Sequence, residues 1–134
     1  MAVQLGVLTR NARLDAVETQ LGTAPLLTIR TGAQPANCAA ANAGTVLATF
    51  TLPTDWLAAA TGGTKSIAGG PWQDTSADAA GTAAHFRIHN TAGTVCEFQG
   101  SVGQGTGDLQ LDNTSIVAGQ TVSITAFTLT DGNA

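Results

Sequence analysis

Apolar and polar positions alternate with two different periods along this chain. Between Asn11 and Leu21, the residues Leu14, Val17 and Leu21 recur at i, i+3 and i+7, which is one face of a helix. Asn11 is a suitable N-cap, Asp15 stands near the first turn, and Gly22 supplies a residue that ends helices. Pro25 then blocks continuation. The pattern predicts a short helix from about Asn11 to Leu21. After Pro25 the period becomes two, and Leu26–Arg30, Thr45–Leu52, His85–His89, Val95–Val102, Asp108–Leu111 and Gln120–Thr130 read as strands. Turn residues separate them, as in Thr31–Pro35, Thr61–Gly63, Gly69–Pro71 and Gly103–Gly107. Asp55–Thr64 fits either a helical turn or a strand. Turn signals at this spacing predict an all-β protein, an antiparallel β-sandwich of jelly-roll-like type with one short N-terminal helix. Residues 1–24 form an N-terminal arm and helix and residues 25–134 the sandwich, together one domain.

One hairpin is specified closely. Phe86 and Ile88 alternate with His85, Arg87 and His89, and Cys96 and Phe98 alternate with Glu97 and Gln99. Gly93 stands where a three-residue hairpin loop needs a left-handed residue. Pairing Asn90 with Thr94 sets Ile88 opposite Cys96 and Phe86 opposite Phe98 on an apolar face. Arg87 then meets Glu97, and His85 meets Gln99, on a polar face expected to contact solvent or a partner. In the last strand, Phe127 and Leu129 leave the phase set by Val122 and Ile124. A β-bulge near Thr125 and Ala126, or burial on both faces, accounts for that change.

Composition narrows the class. Charged residues are 10% of the chain and aromatics 4%, with no Tyr, while Ala, Gly and Thr fill roughly 45% of positions, far above ordinary usage. The surface must therefore consist largely of small neutral side chains. A net charge of -4 with five basic residues excludes the clustered cations that a nucleic-acid surface needs. A basic membrane patch fails on the same count, and no stretch approaches the ~20 apolar residues of a bilayer span. Met1–Val7 carries neither a basic region nor a long apolar core, so no secretory leader is expected. Cys38 and Cys96 match no zinc spacing; free thiols in a reducing cytoplasm are expected, with a single bridge left open.

No constellation in the sequence meets the demands of catalysis. His85 and His89 would share a helix face, but on a strand their Cα atoms stand roughly 13 Å apart, too far for one metal ion. The run Gly100, Gly103, Gly105, Gly107 is followed by a strand, without the helix and Lys of a phosphate cradle. Cys96, placed on the Phe86 side of the hairpin, reads as a buried thiol away from both histidines. Asp74 and Asp78 match no calcium-loop pattern, and a sugar cleft would have only Trp56 and Trp72 to line it. Those two indoles serve either as core anchors or as partner hot spots. The lead-in Val3, Leu5, Val7 and Leu8 either caps the sandwich or reaches onto a neighbour. No cofactor and no enzyme activity are expected. The candidate partner-contact residues are Val3, Leu5, Val7, Trp56, Trp72, His85, Arg87 and His89.

The order of segments resembles a group of small virion structural proteins of tailed bacteriophages and prophages. The resemblance rests on Leu27–Pro35 after the helix, on Asp74–Ala83, on His85–Ile88, and on Ser101–Gly103 leading to Asp108–Ile124. It implies a non-enzymatic virion component, of which the capsid cement or decoration type is the first choice. The implied partners are the major capsid protein or other virion proteins, with a symmetric homo-oligomer on the particle. The implied location is the virion, at the capsid surface, after assembly in the host bacterial cytoplasm. A tail, collar or baseplate component is the alternative within that class, and a carbohydrate-binding module the alternative outside it. Neutral interfaces suit such a role because they avoid the dehydration of buried charge, and repetition strengthens modest contacts.

Overall fold

The computed structural model describes residues 3–133. Its one helix, α1, runs Val7–Leu21, a turn longer at the start than predicted. Gly6 precedes it in extended conformation without a side-chain cap. Asn11 lies inside the helix, where its Oδ1 accepts a hydrogen bond from the Gly63 N–H (2.8 Å). A tertiary partner thus claims the side chain that sequence assigned to capping. The other end follows prediction: Gly22 has φ 79° and donates its N–H to the Glu18 carbonyl.

Ten strands follow: β1 Leu26–Arg30, β2 Val46–Thr51, β3 Thr64–Ser66, β4 Gln73–Asp74, β5 Gly81–Thr82, β6 His85–His89, β7 Cys96–Gly103, β8 Leu109–Leu111, β9 Ser115–Ile116 and β10 Val122–Thr130. The six predicted segments are β1, β2, β6, β7, β8 and β10, displaced by at most two residues at an end. The other four strands are two or three residues long, too short to show alternation. In Asp55–Thr64, residues 55–63 are irregular and Thr64 opens β3, the stretch being tied by bridges Leu57–Ile67 and Thr61–Thr64.

The protein is mostly strand. Eight strands form one sheet in the order β2-β1-β6-β7-β8-β10-β3, with β4 also on β10, and β5 pairs β9 separately. All ladders are antiparallel except β7–β8. The sheet curls until β2 reaches β4. There the Thr49 N–H donates to Asp74 Oδ2 (3.0 Å), and the Asp78 N–H donates to the Leu47 carbonyl (2.8 Å). The bulge expected in the last strand is present between Ile124 and Ala126.

The β7–β8 pair is unusual, because neighbouring parallel strands ordinarily need a connection of a dozen or more residues. Here Gln104–Asp108 suffices. Gly103 permits the tight return, since a Cβ there would stand 2.5 Å from the Thr106 carbonyl oxygen. Asp108 closes it, accepting from the Ser101 N–H (2.8 Å) and Oγ (2.9 Å).

Inside the curl, Trp56, Trp72, Phe50, Phe86, Leu27, Ile29, Leu47 and Ile88 are fully buried. Trp56 and Phe98 stack at 6.2 Å, Phe98 and Phe127 at 5.9 Å, and Phe86 meets Phe127 edge-on at 5.6 Å. Such ring geometries add to plain area burial. Each indole N–H is satisfied, Trp56 by the Gly22 carbonyl (3.1 Å) and Trp72 by that of Ala68 (3.2 Å).

α1 contributes Leu14 and Leu21 to the interior and packs against β3. Lys65 of β3 is buried and bonds both Asp15 and Glu18 at 2.7 Å. Burial works against the Lys65 charge, but its bonds to Asp15 and Glu18 prevail and hold its pKa above the ordinary value. The same hydrogen bond from Lys65, with one from the Ala60 N–H, keeps the Asp15 carboxyl below its ordinary value.

Candidate functional site

The β6–β7 hairpin departs from its predicted register by two residues. Ile88 faces Phe98, Arg87 faces Gln99, Phe86 faces Gly100 and His85 faces Ser101. The Asn90 N–H donates to the Val95 carbonyl (3.0 Å), so the loop closes one residue later than expected, and Gly93 keeps its left-handed role at φ 73°. Gly100 admits the Phe86 ring, because a Cβ there would stand 2.7 Å from Phe86 Cε1. A bulge between Ile88 and His89 then sets His89 opposite Cys96. That bulge turns Cys96 onto the Arg87/His89 face, which corrects its predicted place beside Phe86. The side-chain period of two makes such a flip obligatory when one residue is inserted.

The polar face of β6 is covered, so every residue of β6 is buried. The segment 31–45 lies over it as a strap. Arg87, 1% exposed, donates through Nη1 to the Ala40 carbonyl (3.1 Å) and Asn42 Oδ1 (2.6 Å). Its Nη2 donates to the carbonyls of Asn37 (3.2 Å), Cys38 (3.0 Å) and Ala40 (3.1 Å). His85 Nδ1 meets the Gly32 carbonyl (2.9 Å), and Gln99 Nε2 donates to that of Pro35 (2.7 Å). Among the described residues no carboxylate pairs with this guanidinium. Burial, assisted by the Arg87 and Arg30 charges, pushes the His89 pKa down, and burial with Arg87 lowers that of Arg30. Under the strap, Cys96 Sγ lies 2.8 Å from Cys38 Sγ. Burial and the hydrogen bond to Cys38 push the Cys96 thiol up to about 12.

A second feature opens through the wall of the sheet. β8 has three residues, whereas its neighbours β7 and β10 have eight and nine. Beyond β8, β7 and β10 therefore stand two strand spacings apart, roughly 10 Å, with a strand-wide slot between them. Hydrogen-bond parity fixes which groups face it. The Val102 N–H donates to the Ala84 carbonyl, so Val102, Gly100 and Phe98 bond β6, while Gln99 points its backbone into the slot and the Ser101 N–H is already held by Asp108. The Asp131 N–H donates to the Gly63 carbonyl, so Asp131 and Leu129 bond towards β3, while Thr128 meets Asp108 at the end of the β8 ladder and Thr130 points across the slot. The groove holds about 820 Å³ and is bounded by Phe98, Phe127 and Leu129, with Arg13, Leu14 and Val17 of α1 beside it. Glu97, Asp108 and Asp131 also line it. Asp131 is paired with Arg13 (3.1 Å), and among the described residues Glu97 carries no ion pair.

The predicted contact residues are thereby distributed. Trp56 and Trp72 are 0% and 1% exposed and take the core-anchor role, so as folded they offer no surface to a partner. His85, Arg87 and His89 were expected on an open face and instead lie under the strap, because Arg87 is held by backbone carbonyls of that segment. Val3 and Val7 are exposed, at 78% and 43%. Leu5 is half-buried and donates its N–H to the Asn133 carbonyl (2.6 Å). The slot itself has no sequence signature beyond the shortness of the Asp108–Leu111 alternation. Among the described residues no group of three or more His, Cys, Asp and Glu comes together that could hold a metal ion.

Fold and site define a curled, antiparallel-rich β protein with one helix, a strapped polar face and a gap in its wall. No protein-family model, no curated protein and no solved structure matches the chain.

Proposed function

We propose that this chain is a bacteriophage virion structural protein, most simply a capsid cement or decoration protein that clamps neighbouring subunits of the major capsid protein. The observation that supports this reading is the slot between β7 and β10. Its two walls present backbone groups of Gln99 and Thr130 at the spacing of a missing strand. An extended segment entering there extends β8 and receives hydrogen bonds from both sides, a mode in which the main chain supplies affinity and side chains supply selectivity. The occupant we commit to is an extended arm of the lattice protein carrying Lys or Arg. Glu97 and Asp108 favour that charge, and the neighbouring Phe98–Phe127 stack favours a small apolar residue inward. In this reading the curled sheet is the body of a jelly-roll-like sandwich, copies assemble with the symmetry of the particle, and no catalytic step is involved. Sugar binding by Trp56 and Trp72 is not carried forward, because both rings are enclosed.

Quantitative mass spectrometry of purified virions tests the location. Copies on the order of hundreds, commensurate with an icosahedral shell, are expected; a ring-sized count would move the protein to the collar or tail, and absence from the particle would refute the reading. Thr130→Pro tests the slot. Proline deletes an N–H that faces the gap and leaves the β3 ladder bonds intact. The variant should fold and fail to bind particles that lack the protein. Undiminished binding would remove the slot from the mechanism.

A further inference from the structure

We propose that Cys38 and Cys96 are an intramolecular cross-linking site, at which a small disulfide such as oxidised glutathione converts two thiols into a bond that fastens the strap to β7. This goes beyond the virion reading and does not depend on it. The geometry is built by two independent devices. Arg87 grips the Asn37, Cys38 and Ala40 carbonyls, which sets Cys38 over the sheet. The bulge after Ile88 turns Cys96 up to meet it. The sulfurs are 2.8 Å apart, so closing to a bond of about 2.05 Å needs an approach of only ~0.8 Å. These are the two cysteines of the chain, which leaves one connectivity. Both are half-buried, so a small oxidant can reach them.

The chemistry balances as thiol–disulfide exchange. Cys96 holds its proton tightly, which makes Cys38 the entering thiol. Deprotonated Cys38 attacks one sulfur of oxidised glutathione, forming a mixed disulfide and expelling one glutathione thiolate. Cys96 then gives its proton to solvent base and attacks the Cys38 sulfur, expelling the second glutathione. Two protein thiols are oxidised to one disulfide, and one glutathione disulfide is reduced to two glutathiones. The closed loop spans 58 residues, long enough that the cross-link restricts the unfolded chain considerably.

The experiment treats the folded, full-length protein with oxidised glutathione, followed by intact mass and non-reducing peptide mapping. The expected product is a monomer lacking two hydrogens, with a linked Cys38–Cys96 peptide and no thiol titratable after denaturation. Its Tm should rise by about 5–15 °C and return to the starting value on reduction. Proteinase K should cut the 31–45 strap more slowly in the bridged form. Cys38→Ser should show neither gain when treated with the same oxidant. A persistent glutathione adduct on one cysteine, linked dimers, or bridging only after denaturant is added would overturn the assignment. A bridge that forms in the folded protein without changing Tm or strap cleavage would overturn the fastening role.

Discussion

Replacing Arg87 by Met isolates the force that holds the strap. Met fills comparable volume, so the cavity contribution is small, and the change removes five donor contacts to four acceptor groups. Hydrogen bonds to a charged group contribute about 1.5–3 kcal/mol each, so four acceptors represent about 6–12 kcal/mol gross. Dehydrating the guanidinium opposes this by several kcal/mol. No carboxylate among the described residues offsets that cost, and Arg30 stands nearby with the same sign. Arg87 Nε, buried and without a partner, adds to it. The bonds should still win, leaving Arg87→Met destabilised by about 2–4 kcal/mol. For a chain of this size that is a Tm lower by about 10 °C. Guanidinium titration followed by the fluorescence of the two buried indoles measures it, and hydrogen exchange of residues 37–42 should accelerate with it. Stability within about 0.5 kcal/mol of the parent would refute the reasoning, since it would mean that dehydration cancels the whole set of bonds. Arg87→Lys should recover little, because an ammonium cannot span acceptors placed for a planar fork.

Three titrating groups give further checks, two towards acid and one towards base. The His89 pKa is depressed below its ordinary 6.5 by burial and by Arg87 and Arg30, so below pH 6.5 the unfolded chain takes up a proton that the folded one refuses. Stability should therefore fall with pH from about 6.5 until the folded value is passed, and His89→Gln should flatten that decline in urea midpoints. At the helix, Lys65→Met should free α1 from β3 and lower stability by about 1–3 kcal/mol. The parent has two edges that the variant should lose. The Asp15 contribution is present above its ordinary 3.8 and disappears as pH falls through the lowered folded value, and the Lys65 contribution is full below its ordinary 10.5 and disappears as pH rises through the raised one. A variant whose profile retains both edges would show that the ion pairs do not couple helix to sheet.

The long strands were legible because alternation of apolar and polar residues over five or more positions leaves one phase for the core; β1, β2 and β10 obey it, while in β6 the other phase is buried too, beneath the strap. The register of β6 on β7 was not, since a bulge leaves Cys96, Glu97 and Phe98 unchanged as letters while altering which face each occupies. Burial of His85, Arg87 and His89 was hidden for a different reason. Three of the four acceptors of Arg87 are main-chain carbonyls, of Asn37, Cys38 and Ala40, which any residue supplies, and the fourth is a single uncharged amide, Asn42, so the partner leaves no charge pattern to read. Residues 31–45 are mostly small and carry no charge, and look like an open loop until the guanidinium beneath them is counted. The slot arises from a difference in strand lengths, which turn signals locate only to within a few residues.

The hydrogen bond from the Leu5 N–H to the Asn133 carbonyl (2.6 Å) brings the first and last described segments side by side. A short linker could therefore join them, and the chain could be reopened at Thr91–Thr94, an exposed hairpin tip, without severing any pairing of the sheet. In such a circular permutant α1 follows β10 directly in the chain. The contacts between helix and last strand, Arg13 with Asp131 among them, change from the most distant in sequence to nearly local. The same opening turns β6–β7 from a local hairpin into a pairing between opposite ends of the chain, so the permutant should fold more slowly while leaving the native interactions unaltered.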